Sequence, residues 1–520
     1  MKLLLPALLL AASSVFAQPV PPNRTVAHVT AYQPPVFTDA GRAKRLEAAF
    51  PIIEKIYEDA AEKQHLPGVA FGILLDGKLV YSGGIGYTDV EKKIPATPKS
   101  LFRIASMTKS FTTMAVLKLR DEGRLRLDDP AENYLPTLKN HQYLTADAPK
   151  ITVRNLMTHT AGFPEDNPWG DRQLADSDAD LTDLIKRGIS NANVPGFAYE
   201  YSNLAFAILG RIISVVSGKP YQQYITETIL KPLGMNDTQW EYTRVPAEKL
   251  AHGYRWQDGQ WLEEPLLHDG SHGAMGGLIT SIEDFSQYVA LHQAAWPPRN
   301  DADTDQPIKR SSIREMHQPW TFSGLSAQAK NSAGQLCPEV SGYGYGIRWG
   351  QNCKGQTGIG HTGGLPGFGS QWRILTTYGI GIIAYANRTY AGMNAVNAVV
   401  LDTLVAIGQL KPRQLPVSTI LAQRKAEIIN LLPNWTNAEK SGIFAENFFP
   451  DQSITIRRKA VQALYAKVGK IQHIGELVPE NQLRGRFLLE GSTGNIDVFF
   501  TLTPERPALI QQLDFREVSK

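Results

Sequence analysis

Strand signals stand at both ends of one long stretch of this chain, and helical periodicity fills most of the space between them. Residues 69–75 and 78–82 flank Asp76-Gly77, a dipeptide suited to a tight hairpin turn. Strand character returns only far along the chain, at 343–349, 358–364, 370–376 and 380–387, and a helix is expected over 393–407. A helix over 41–62 precedes the hairpin, with Leu46, Phe50, Ile53 and Tyr57 at helical spacing. This arrangement predicts an α+β domain over residues 41–409: one antiparallel sheet assembled from distant segments, flanked by helices, with a helical subdomain inserted. A cleft between two such layers is a common place for a site.

Residues 410–417, with Pro412 and Pro416, read as a linker. Beyond it, helices are expected at 420–432 and 456–471, followed by strands at 485–489, 496–502 and 509–515. Residues 418–520 thus read as a small α+β domain, which carries no group of residues with evident chemistry. At the other end, Met1-Lys2, the apolar run 3–12 and the small residues Val15 and Ala17 have the pattern of an export signal cut after Ala17. Residues 18–40 read as a loose, Pro-rich extension. A periplasmic or secreted location is the expectation, with no transmembrane span, because no apolar run approaches the ~20 residues a span needs.

A net charge of +3 on 520 residues gives no reason to expect a nucleic acid or an anionic membrane as partner. Cys337 and Cys353 are the two cysteines. In an oxidising compartment they could form a disulfide across the strand-like stretch between them, or remain two buried thiols. Neither has the neighbours of a zinc site or a catalytic dyad. His268-Asp269-Gly270-Ser271-His272 suggests metal ligands only faintly, since it lacks the helical i, i+4 frame of a zinc protease. No metal site is expected.

Chemistry concentrates in Ser106-Met107-Thr108-Lys109, where a Ser has a Lys three residues on. One helical turn places positions i and i+3 on the same face, so a hydroxyl and an amine can share a proton. Met107, Phe111, Met114 and Ala115 supply an apolar stripe that would bury the segment. A desolvated Lys loses its preference for charge and can act as a base near neutral pH. Three further segments stand beside this one: 193–203, ending Tyr201-Ser202-Asn203; His361-Thr362-Gly363-Gly364; and 156–163, which contains His159. There is no Gly-x-Ser-x-Gly, so the nucleophile elbow of the α/β-hydrolases is not available.

Together these segments resemble the serine β-lactamase-like family that includes class C β-lactamases, DD-peptidases, D-aminopeptidases and related esterases. The resemblance covers about residues 45–408. It implies a serine hydrolase that works through an acyl-enzyme on Ser106, without a cofactor, on a small-molecule or peptide substrate. Lys109 would take or share the Ser106 proton. Tyr201 would supply a phenol whose pKa nearby cations lower, as general base and later acid. Asn203 would hold Lys109 and the substrate amide, and the backbone N–H groups of Ser106 and Gly364 would form the oxyanion hole. His361 departs from the Lys usual in class C β-lactamases, and with it a permanent cation is replaced by a group charged only in part at neutral pH. That shifts the expectation from β-lactams toward D-amino-acid peptides and acyl esters, with a β-lactamase as the alternative enzyme. A sensor that is acylated without turnover is the alternative of another class. Arg348, thirteen positions before His361, is the candidate partner for a substrate carboxylate. His159 is expected to fix a loop rather than to react.

Overall fold

A computed structural model describes residues 32–303 and 306–519. The expected export signal at 1–17 lies outside the described residues, as does most of the 18–40 extension. The chain divides into two compact units, one comprising residues 34–414 and the other containing residues 415–519.

The larger unit is built on a nine-stranded antiparallel sheet. In chain order its strands are β1 (Gly68–Leu75), β2 (Lys78–Asp89), β3 (Ile94–Pro95), β4 (Thr321–Ser326), β5 (Glu339–Tyr343), β6 (Arg348–Asn352), β7 (Thr357–Leu365), β8 (Phe368–Leu375) and β9 (Ile380–Ala386). Their spatial order is β3-β2-β1-β9-β8-β7-β6-β5-β4, so the N-terminal hairpin pairs directly with β9, three hundred positions away in register (Val69 opposite Ala386, Leu75 opposite Ile380). The expected sheet from distant segments is therefore present. The central strands are buried on both faces, and period-two alternation divides their side chains between two cores. Val69, Phe71, Ile73 and Leu75 enter one core with Ile380 and Ile382, whereas Ala70 and Leu74 enter the other with Ile383 and Tyr385.

The first core is closed by α1 (Phe50–Lys63) and α5 (Met393–Ile407), through Ile53, Tyr57, Val400 and Leu404. The second receives α2 (Lys109–Asp121), α3 (Asn203–Ser217) and α4 (Ile282–Ala294). Helix α1 is shorter than the sequence expectation. The first helical turn is a separate segment, Arg42–Glu47, and α1 restarts at Phe50 because Pro51 cannot donate into a preceding turn but fits the first turn of a new helix. Helix α2 is also less amphipathic than expected: Ser110, Thr112 and Thr113 are buried along with the apolar stripe.

The expected single strand at 343–349 is instead a hairpin. Strand β5 ends at Tyr343, Gly346 turns the chain with φ +64°, and β6 begins at Arg348. Cys337 and Cys353 form a disulfide that joins the open ends of this hairpin.

In the smaller unit, β10 (Ile471–Ile474), β11 (Val478–Asn481), β12 (Arg484–Gly491), β13 (Asn495–Leu502) and β14 (Ile510–Val518) form an antiparallel sheet. Strands β10 and β11 pair with successive stretches of β12. Strand β13 alternates strictly: Ile496, Val498, Phe500 and Leu502 are buried and the residues between them are not. That pattern fits a sheet with one covered face, here covered by Leu421 and Ile428 of α6 (Thr419–Leu431) and Val461 and Val468 of α7 (Ile454–Val468). Among the described residues, no single helix is long and apolar enough to cross a membrane.

Candidate active site

Ser106 lies in a 3-10 turn, Ala105–Thr108, immediately before α2. Ala105 adopts φ +52°, a left-handed conformation that costs a residue with a Cβ free energy and must be held from outside. The holding contacts are present. Ser370 Oγ donates to Ile104 O at 2.7 Å, Ile104 N to Leu278 O at 3.0 Å, and Leu278 N to Thr108 Oγ1 at 3.2 Å. Strand β7 also presses on the turn: a Cβ on Gly363 would lie 2.2 Å from Ile104 O and 3.1 Å from Ala105 Cβ. Glycine at 363 is what lets the His361–Gly364 motif run beside the nucleophile.

Lys109, the first residue of α2, is fully buried. Its Nζ donates to Ser106 Oγ at 3.0 Å, Asn203 Oδ1 at 2.6 Å and Met275 O at 2.9 Å. Three acceptors match the three protons of an ammonium, yet none is a carboxylate, so the charge has no direct counter-ion. Burial therefore pushes the amine down to about 7, against the pull of Asp171 and Asp166 farther off, with Arg348 adding to the fall.

Asn203 opens α3, whose N-terminus is heavily capped. Ser202 Oγ accepts from Ala205 N at 3.2 Å, and Asp166 accepts from Asn203 N at 2.5 Å and Leu204 N at 2.9 Å. With Oδ1 turned to Lys109, Asn203 Nδ2 donates to Asn167 Oδ1 at 3.0 Å. Gly170 makes room for this, since a Cβ there would lie 2.8 Å from Asn203 Cβ.

Tyr201 is 7% exposed, with its hydroxyl near Ser106. Its ring centroid lies 4.9 Å from Lys109 Nζ and 5.3 Å from the Arg348 guanidinium carbon. The expected lowering of its pKa is not found: burial pushes the phenol well above its ordinary value and outweighs Arg348 and Ser106, which act the other way. At neutral pH Tyr201 is therefore a neutral phenol, whereas the amine beside Ser106 is close to losing its proton.

His361 is buried and ligated at both nitrogens. Because Thr362 O can only accept, Nδ1 carries the proton to it at 2.5 Å, and Nε2 accepts from the Tyr343 hydroxyl at 2.8 Å. Burial, reinforced by the Arg348 and Lys109 charges, pushes His361 well below the ordinary histidine value, so it is neutral through the physiological range. Arg348 stands at the start of β6 opposite Gly360, among Tyr199, Tyr201 and Tyr343. By surface area it is exposed although its guanidinium is crowded by these rings, which leaves a cation open to solvent at the edge of the site. A cavity of about 510 Å³ is lined by Arg348, His361, Thr362, Gln371, Arg373 and Asn394. Ser106 is not in its lining, so the cavity adjoins the strand motif rather than the nucleophile itself. A second cavity of about 630 Å³ is lined by Tyr199, Phe197, Trp320 and Phe322.

All nine residues expected at the site, Ser106, Lys109, Tyr201, Asn203, Arg348 and 361–364, thus belong to one region of the larger unit. His159 accepts from Ser202 N at 3.0 Å through Nδ1 and packs 4.2 Å from the Tyr201 ring, which fixes the Tyr201–Asn203 segment. Sequence reasoning passed over Asp166, Asp171, Tyr390 and the Met275 carbonyl. The one available signal was the run Glu165-Asp166-Asn167-Pro168-Trp169-Gly170-Asp171, which packs three carboxylates into a short Pro- and Gly-containing stretch. His268 bonds Glu241 and Tyr242, and among the described residues no three His, Cys, Asp or Glu side chains come together as a metal site would require.

A buried Ser–Lys pair beside a Tyr-x-Asn segment and a His-Thr-Gly strand, on an antiparallel sheet, is an arrangement consistent with the serine hydrolase superfamily to which the β-lactamase fold belongs. The family described as Beta-lactamase matches residues 53–406, and the chain belongs to that family. Protein flp of Staphylococcus aureus (strain N315) is 29% identical over 343 residues, which cover 65% of this chain and 63% of that protein. The chain thus spans somewhat under two thirds of that relative's length. Beta-lactamase-like protein 2 of Dictyostelium discoideum is 30% identical over 253 residues, covering 47% of this chain and 45% of the other. Among solved structures, the octameric penicillin-binding protein homologue from Pyrococcus abyssi shares the fold with a TM-score of 0.55 at 21% identity, covering 88% of this chain and 91% of its own. The penicillin binding protein from Bacillus halodurans superposes with a TM-score of 0.53 at 22% identity, covering 67% of this chain and 98% of its own.

Proposed function

We propose that this protein is an exported serine hydrolase, periplasmic or secreted, that cleaves small amides or esters through an acyl-enzyme on Ser106. D-amino-acid peptides of the cell-wall type and acyl esters are its substrate classes. The observation that carries this reading is Lys109 Nζ, fully buried, 3.0 Å from Ser106 Oγ and without a direct carboxylate partner. In its neutral form Lys109 accepts the Ser106 proton as Oγ attacks the carbonyl carbon. The charge that develops on the carbonyl oxygen is met by the backbone N–H groups of Ser106 and Gly364. The C–N or C–O bond then breaks, and the leaving amine or alkoxide takes a proton from Lys109 or from the neutral phenol of Tyr201. Water attacks the acyl carbon by the same route in reverse and releases Ser106.

A neutral His361 offers no fixed charge of its own, so a substrate carboxylate, of a peptide or of a β-lactam, is left to Arg348. Arg348 supplies the exposed cation that a carboxylate-ended substrate needs. The leader-like residues 1–17 support export. The test is a panel of chromogenic esters, D- and L-peptides and β-lactams. Many turnovers on an ester or a D-alanyl peptide, abolished by Ser106→Ala, are expected. Stoichiometric labelling of Ser106 without product would overturn hydrolysis in favour of a sensor.

A further inference from the structure

One buried carboxylate behind Lys109 takes no part in the steps above. Asp171 is 2% exposed. Its Oδ1 faces Asn203 Nδ2 at 3.5 Å, and its Oδ2 accepts from the Tyr390 hydroxyl at 3.0 Å. Asn203 presents its other amide atom, Oδ1, to Lys109 Nζ at 2.6 Å. A single side-chain amide therefore stands between a buried amine and a buried carboxylate. Tyr390 reaches Asp171 from beside the motif strand, next to Gly364. It is 50% exposed, its backbone takes φ +50°, and a Cβ on Gly364 would meet its ring at 2.9 Å. A bulky residue held in the left-handed region is costly, which marks this position as constrained by its contacts.

We propose that Asp171 is a positioning residue whose carboxylate, linked through Asn203 and held by the Tyr390 hydroxyl, sets the charge on Lys109 before the substrate reacts. The inference rests on the Ser106–Lys109 reading above. The titratable and charged groups around Asp171 are Lys109, Tyr390, Asp166 and Glu165. Those around Lys109 are Asp171, Asp166 and Arg348, with His159, His361 and Tyr201 also close. Asp166 is committed to the α3 backbone N–H groups, and Arg348 opposes a charge on Lys109. Among the charges acting on Lys109, Asp171 is the largest, and Lys109 is the largest acting on Asp171. Burial drives the Asp171 carboxyl up and the Lys109 amine down, so their titrations approach one another and the charge on each weighs on the other. The Tyr390 bond favours the ionised carboxylate.

Removing the carboxylate withdraws the anion that supports a charged Lys109, so the amine loses its proton at lower pH. The experiment is the rate of Ser106 modification by a fluorophosphonate between pH 5 and 9, in the full chain and in Asp171→Asn and Tyr390→Phe, with folding checked by circular dichroism. This probe needs no knowledge of the substrate. The acid limb of Asp171→Asn is expected to move about one pH unit toward acid. Tyr390→Phe should move it the same way by less, because its carboxylate is less readily ionised. Limbs that coincide with the parent chain, or move to higher pH, overturn the proposal. If Asp171→Asn fails to fold, Tyr390→Phe decides alone, and an unmoved limb there overturns it. No labelling of the parent chain would instead sink the Ser106–Lys109 reading.

Discussion

Each unit of this protein buries a cation, and the two are treated in opposite ways. Arg424, 3% exposed in the smaller unit, donates to Glu427 Oε2 at 2.6 Å and twice to Ala508 O, at 3.0 and 2.7 Å. A carboxylate and a carbonyl answer its fork, and α6 is thereby tied to the segment before β14. Lys109 is fully buried in the larger unit and finds only neutral acceptors, while its carboxylates are kept one side chain away. A buried guanidinium with a direct counter-ion is a strut; a buried lysine amine without one gives up its proton more readily. The larger unit holds struts of the Arg424 kind too, in Arg42 with Asp76 and Arg310 with Asp301, so the contrast lies between the two side chains and not between the two interiors.

The largest expected effect tests the reactive side of this contrast. Lys109→Ala should reduce acylation at least about a thousandfold, as fully as Ser106→Ala, because groups that act as one unit are not additive. Substantial burst labelling of Lys109→Ala would break the pairing. The second effect is on stability. Lys109 has a folded pKa of about 7 against an ordinary 10.5, so the folded state disfavours its charged form. The cost is absent above pH 10.5, accumulates as pH falls toward 7, and is constant below that. Relative to the parent chain, Lys109→Met should therefore gain on the order of 4 kcal/mol over that window in denaturant titrations, and a pH-independent difference would contradict it.

Arg424 should behave as a strut. Arg424→Ala should cost about 2–3 kcal/mol by leaving Ala508 O and Glu427 without their donor, with kcat/KM on an ester unchanged. A loss of activity without a loss of stability would dissolve the contrast. The smallest effect belongs to Arg348, which is exposed and so worth less per contact. Arg348→Ala should raise KM about tenfold for carboxylate-ended substrates and leave neutral esters within about twofold.

What could be read in the sequence was what is local. Ser106 and Lys109 share a turn, so their spacing brought them out, while Tyr201 and Asn203 at a helix start and 361–364 on a strand are short local motifs that came out through the family resemblance. The 393–407 helix and the hairpin at Asp76-Gly77 were legible because they too are local. Strand β4 was not, because Thr-Phe-Ser-Gly-Leu-Ser on a sheet edge leaves Phe322 and Leu325 exposed and so carries no inward pattern. Strands β10 and β11 are short edge segments of the same kind. Asp171 and Tyr390 lie 219 positions apart and meet only through the fold. The sign of the Tyr201 shift was misjudged because nearby cations can be read from residue types, whereas the degree of burial that outweighs them cannot.

The charge state of Lys109 can be measured without any substrate. In chain labelled with carbon-13 at the lysine ε-position, the resonance absent from Lys109→Met is that of Lys109, and its shift can be followed from pH 5 to 11. A midpoint near 7 is expected, from burial beside neutral acceptors. A midpoint above about 9.5, close to that of a solvent-exposed lysine, would mean that the amine is charged in the resting enzyme and does not serve as the base for Ser106.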